Sequence, residues 1–255
     1  MKHQIRSAQI IPPEAKSENS WRVGRVGMLY RDLVSDERFL VSHIRIPDGG
    51  EVPDYVHYHK IRFQMIFCLA GWARVVYEDQ GEPFVMREGD CVLQPPEIRH
   101  RVLESSAGFE VLEIVSPADH ETHHDHEMDL PTKIHAPERV FGGQRFVHHV
   151  AEIAIWFGAE VDGLEFRDTG ISEATGGLAS VCVFRAIDKL EVSIKHSGEF
   201  LFFFILKGNL QLSGGADEIY HLETGSVFVL PADTEYSIEA EKGLEVLRVS
   251  FPADQ

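Results

Sequence analysis

The stretch PDGGEVPDYVHYHKIRFQMIFCLAG, residues 47–71, carries the pattern from which the fold is read. His57 and His59 are one residue apart. On a strand, residues i and i+2 project from the same face, so both imidazoles point the same way. Gln64 follows on the next strand, after a bend around Lys60 to Arg62, and Gly71 ends that strand in a turn. Further on, REGDCVLQPPEIRH, residues 87–100, opens a strand at Gly89-Asp90, closes it at Pro95-Pro96 and begins another at His100. His100 lies far along the chain, but a closed barrel brings it back beside the first cluster.

The chain then repeats itself at a spacing of roughly 136 residues. IFCLAGWARVVY, ending at Tyr77, aligns with FFILKGNLQLSG, ending at Gly214. MREGDCVLQPPEIRH aligns with LETGSVFVLPADTEY, and VLEIVSPAD with VLRVSFPAD. Each copy consists of short runs of Val, Ile, Leu and Phe broken by Gly, Pro, Asp and Asn, the rhythm of an all-β sandwich or barrel. An antiparallel jelly roll suits this strand content and hides its edges. The expected organisation is an extended arm over 1–20, a metal-binding barrel over 21–118, a polar linker over 119–149 and a second barrel over 150–255. The arm is read as packing across the partner domain.

These residues resemble the two motifs of the cupin superfamily, and the doubled pattern resembles a bicupin, with two tandem double-stranded β-helix barrels. The resemblance implies that His57, His59, Gln64 and His100 hold one divalent transition metal (Fe, Mn, Ni, Co or Zn). The sequence departs from the family pattern in three places. Gly50 stands one residue further from His57 than usual, Glu97 occupies a glycine position, and Gln64 replaces the usual Glu. Three-His-one-Gln sets occur in some cupins, so Gln64 is compatible with a working site. Three imidazoles and an amide oxygen are all neutral, which leaves the ion its full charge to attract an anionic oxygen.

The second copy has Ile194, His196, Leu201 and Tyr236 where the first has His57, His59, Gln64 and His100. With one candidate ligand of four, plus a displaced Glu199, this barrel is read as metal-free. Its role is then structural, or it forms an apolar pocket with Tyr236 and His196 at its mouth. In the first barrel, alternation from Gln64 turns Ile66 and Cys68 inward. Tyr55, Arg62, Gln94, Arg45 and Tyr77 are the candidates for polar or catalytic contact with a substrate, and an arginine there would clamp a carboxylate. The histidines of HETHHDHEMD, residues 120–129, are assigned to the solvated linker, and His148 and His149 to the start of the second domain.

The implied function is a metal-dependent enzyme acting on a small organic acid. The metal polarises a carboxylate, keto or enolate oxygen for isomerase, cyclase or lyase chemistry. The alternatives are an Fe(II)-dependent dioxygenase similar to quercetinase-type bicupins, and a non-catalytic ligand-binding or regulatory cupin. A net charge of −17 argues against nucleic-acid partners and anionic membrane surfaces. The N-terminal residues lack an apolar signal core, and FLFFFIL, residues 200–206, is too short to span a bilayer as a helix. A cytoplasmic homodimer is expected. Cys68, Cys91 and Cys182 each sit in an apolar strand-like run and read as buried thiols.

Overall fold

The computed structural model describes residues 8–13, 21–24, 27–214 and 218–253. The chain divides into two compact units, residues 18–154 and residues 155–255 joined by residues 1–17. Both are antiparallel β-barrels of the jelly-roll kind.

In the first unit one sheet runs, in spatial order, Val147–His149, Cys91–Leu93, Phe63–Ala70, Phe109–Ser116, Leu40–Ile46, Leu29–Ser35 and Arg22–Val23. The other runs Glu121–His124, His57–Lys60, His100–Ser105, Trp72–Tyr77 and Phe84–Arg87. Alternation along each strand turns Ile44, Cys68 and Val111 of the first sheet against Ala73, Val75 and Met86 of the second, and these form one buried cluster. Gly71 joins strands of the two sheets at φ 71°, a left-handed turn that glycine adopts without a steric cost. Its counterpart Gly208 has φ 83°.

In the second unit the larger sheet runs Gln9–Ile11, Val227–Val229, Phe200–Lys207, Glu245–Phe251, Ser180–Ala186, Leu164–Asp168 and Phe157–Gly158. The smaller runs Leu190–Ile194, Tyr236–Ala240, Asn209–Gly214 and Glu218–Glu223. The internal repeat holds at the level of strand register. His57 is paired with His100 in the first barrel, and Ile194 with Tyr236 in the second. Gln64 lies opposite Val115, and Leu201 opposite Ser250.

Two stretches depart from the expected boundaries. Residues 119–149 are not a free linker. Glu121–His124 pairs with His57–Lys60, and Val147–His149 pairs with Cys91–Leu93, each closing an edge of the first barrel. VHHV therefore belongs to the first barrel. The part of the arm that is described, Gln9–Ile11, adds a strand to the second barrel beside Val227–Val229. In both places backbone pairing at a sheet edge takes up a polar or short segment that carries too little apolar periodicity to announce itself. The three cysteines are buried and free of disulfides, and burial pushes the Cys68 thiol up to about 12. Among the described residues, no helix is long and apolar enough to cross a membrane.

Candidate metal centre

His57 and His59 stand on one strand and His100 on its neighbour. Each offers a ring nitrogen, and the three nitrogens lie within 4.8 Å of one another. The ring centroids are 5.2 Å apart for His57 and His59, and 4.3 Å for His57 and His100. His57 and His100 are buried, while His59 is half-buried on the open side.

Neighbouring groups settle how these rings are held. His57 Nδ1 donates to the Tyr55 carbonyl at 2.9 Å, and His100 Nδ1 donates to the Ile98 carbonyl at 3.0 Å. A carbonyl only accepts, so the proton sits on Nδ1 and the lone pair on Nε2. His59 Nδ1 lies 2.8 Å from Thr122 Oγ1. Two buried imidazoles thus present basic Nε2 atoms, oriented by outer contacts of the kind that metal-binding histidines use. The donor set suits a divalent transition metal. Gln94 donates from Nε2 to His100 Nε2 at 3.1 Å and accepts from the Tyr77 hydroxyl at 2.9 Å, so it must give up the first bond when an ion binds.

The three histidines open into a cavity of about 550 Å³, lined also by Gln64, Ile66, Val75, Tyr77, Gln94 and Val111. Gln64 reaches it from the opposite sheet, as Ile66 does two residues later. The Gln64 amide donates from Nε2 to Glu113 Oε1 at 2.7 Å. That takes the nitrogen end of the amide and leaves its oxygen as the end suited to a cation.

Of the five candidates for polar contact, Gln94 and Tyr77 line the cavity. Burial holds the Tyr77 phenol far above its ordinary range, assisted by Cys91 and Glu113, so Tyr77 acts as a hydrogen-bond donor. Arg45 and Arg62 do not belong to it. Both side chains are exposed, and Arg45 pairs with Glu110 at 3.4 Å. On its strand Arg45 alternates with the buried Ile44 and so faces solvent, while Arg62 lies in the bend before Phe63. Tyr55 lies off the cavity and contributes its carbonyl to His57, while its hydroxyl is 3.4 Å from His124 Nε2.

Other residues of the lining went unrecognised in the sequence. Glu113 sits in FEVLEIVS, where it interrupts an apolar alternation of Phe109, Val111 and Val115, a signal that was there to be read. Thr122 and His120 come from the polar stretch that the sequence presents as a linker. His120 lines the cavity with its ring centroid 5.3 Å from that of His59, and its Nδ1 is buried with no hydrogen-bond partner among the described residues. Arg101 also lines the cavity, half-buried, and its Nε likewise has no partner among the described residues.

Residues 42–116 match the Cupin domain family. The whole chain resembles solved cupin structures in fold. Salicylate 1,2-dioxygenase from Pseudaminobacter salicylatoxidans superposes with a TM-score of 0.74 at 15% identity, over 98% of this chain and 87% of that one. A deletion mutant of Bacillus subtilis oxalate decarboxylase gives 0.68 at 15% identity, over 99% and 79%. A putative glyoxylate-induced protein from Pseudomonas aeruginosa gives 0.71 at 10% identity, over 100% and 93%. No curated protein matches the sequence. The matched stretch contains all three clustered histidines and Gln64.

Proposed function

We propose that this protein is a metal-dependent cupin enzyme acting on a small organic acid, with His57, His59 and His100 holding one divalent metal and Gln64 completing the set. The reading rests on the convergence of three imidazoles whose outer nitrogens are already engaged, at the wall of a cavity of substrate size. When bound, the metal supplies a Lewis acid for a carboxylate, keto or enolate oxygen. The chain supplies the rest. Arg101 offers a buried donor to the second oxygen of an acid, Tyr77 and Gln94 form a donor chain along one wall, and Ile66, Val75 and Val111 keep the opposite surface apolar. His120, beside His59, is the imidazole placed to carry a proton for isomerase, cyclase or lyase chemistry.

A dioxygenase is the second reading. It is favoured by the amount of apolar wall beside the triad, and by the fact that such chemistry does not require a dedicated protein base. The two separate by experiment. Proton-transfer chemistry predicts turnover of a keto or hydroxy acid with Zn or Ni under nitrogen, whereas strict need for Fe(II) with oxygen uptake supports the dioxygenase. The metal assignment has its own test, metal analysis of purified His59→Ala and His100→Ala. Both variants should stay folded and lose the metal equivalent carried by the unaltered protein. Full retention by both would overturn the centre.

A further inference from the structure

The second barrel holds a cavity of about 1170 Å³, larger than the one at the triad, formed wholly by residues 159–253. Leu201, Phe203, Leu210, Ile238 and Val246 line it from the buried core cluster of that barrel. The positions matching the triad hold Ile194 and Tyr236, and His196 Nε2 donates to the Leu230 carbonyl at 3.0 Å, so that nitrogen carries a proton and offers a cation nothing. Tyr236 does not stand at the mouth, as the sequence suggested. It is buried in the core cluster and absent from the lining.

One charged residue of this lining is half-buried. Arg248 stands two positions beyond Val246 on the strand Glu245–Phe251 and so shares its inward face. Its guanidinium carbon lies 4.7 Å from the centroid of the Phe184 ring, itself part of the lining. The other charged groups of the lining are Lys195 and Asp233, both exposed. In a chain of net charge −17, this cavity therefore carries more arginine and lysine than carboxylate. A guanidinium half-buried among apolar walls is poorly hydrated, and its planar donors match the two oxygens of a carboxylate.

We propose that the second barrel binds an organic carboxylate with an apolar body, the carboxylate on Arg248 and the body among Leu201, Phe203 and Val246. This site is independent of the metal centre and of its chemistry.

The test is isothermal titration calorimetry on the full chain carrying His100→Ala, which removes the metal centre as a competing site, with octanoate, octanamide and octylammonium as probes. Octanoate should bind at one equivalent, about tenfold or more tighter than octanamide, the factor that a charge-assisted hydrogen bond supplies, and octylammonium should not bind. Arg248→Gln should bring octanoate down to the affinity of octanamide, and Arg248→Lys should recover part of the difference. Octanoate binding no tighter than octanamide would overturn the proposal on the His100→Ala chain alone, whether or not the Arg248 variants fold. So would octanoate binding that Arg248→Gln leaves intact. Binding seen only with His100 present would place the ligand in the first barrel and overturn it equally.

Discussion

At residue 64, glutamine stands where the resembled motif has glutamate, and Glu113 provides a physical reason. Its carboxylate accepts the Gln64 amide at 2.7 Å. A glutamate in the same place would set two carboxylates at hydrogen-bond distance, and in the absence of a cation they repel. Glu113 also qualifies the picture of a wholly uncharged surround, because a carboxylate stands directly behind the amide. Gln64→Glu is expected to lower the stability of the metal-free protein by about 1–3 kcal/mol, measured by urea unfolding with a chelator present. An unchanged or raised stability would remove Glu113 as the reason for the amide. Glu97 makes a related point. It adopts φ 65°, the left-handed region that explains why glycine is usual there, and its amide donates to the His59 carbonyl at 3.0 Å. That bond ties the loop before His100 to the strand that carries the other two histidines.

The element that most changes the reading of the site is the strand Glu121–His124. Its backbone pairs with the whole of His57–Lys60, so Thr122 lies opposite His59 and its hydroxyl meets His59 Nδ1. A sequence of histidines and acids with no apolar period thus serves as an edge strand that orients the His59 ring. Loss of such an outer contact typically weakens metal binding 10- to 100-fold. Thr122→Val should therefore reduce affinity by a factor on the order of 10–100 in chelator competition, with little change in unfolding. If affinity held and stability fell, Thr122 would be serving the edge strand and not the ring.

Over the whole molecule, the start of the chain stabilises its end. Gln9–Ile11 extends the large sheet of the second barrel, and Ile10 packs on that barrel's core. Ile10→Asp replaces a partly buried apolar side chain with a charge, so a cost of about 1–3 kcal/mol is expected. The loss should appear as faster amide exchange at Val227–Val229, while metal binding in the first barrel stays as it was. Weakened metal binding in Ile10→Asp would show that the two units do not respond separately.

The sequence alone determined that the protein is two β-barrels of one design, that the first carries His57, His59 and His100 on converging strands, and that the second has replaced most of these positions. Alternation, turn residues and the internal repeat are local signals, and side-chain direction on a strand follows from them directly. Tertiary structure alone decided which segments close the sheet edges, that Thr122, His120 and Arg101 line the first cavity, that Arg45 and Arg62 face water, and that Arg248 faces the interior of the second barrel. Those outcomes depend on pairing between segments far apart in the chain. A polar segment advertises no face until its partner strand fixes the register.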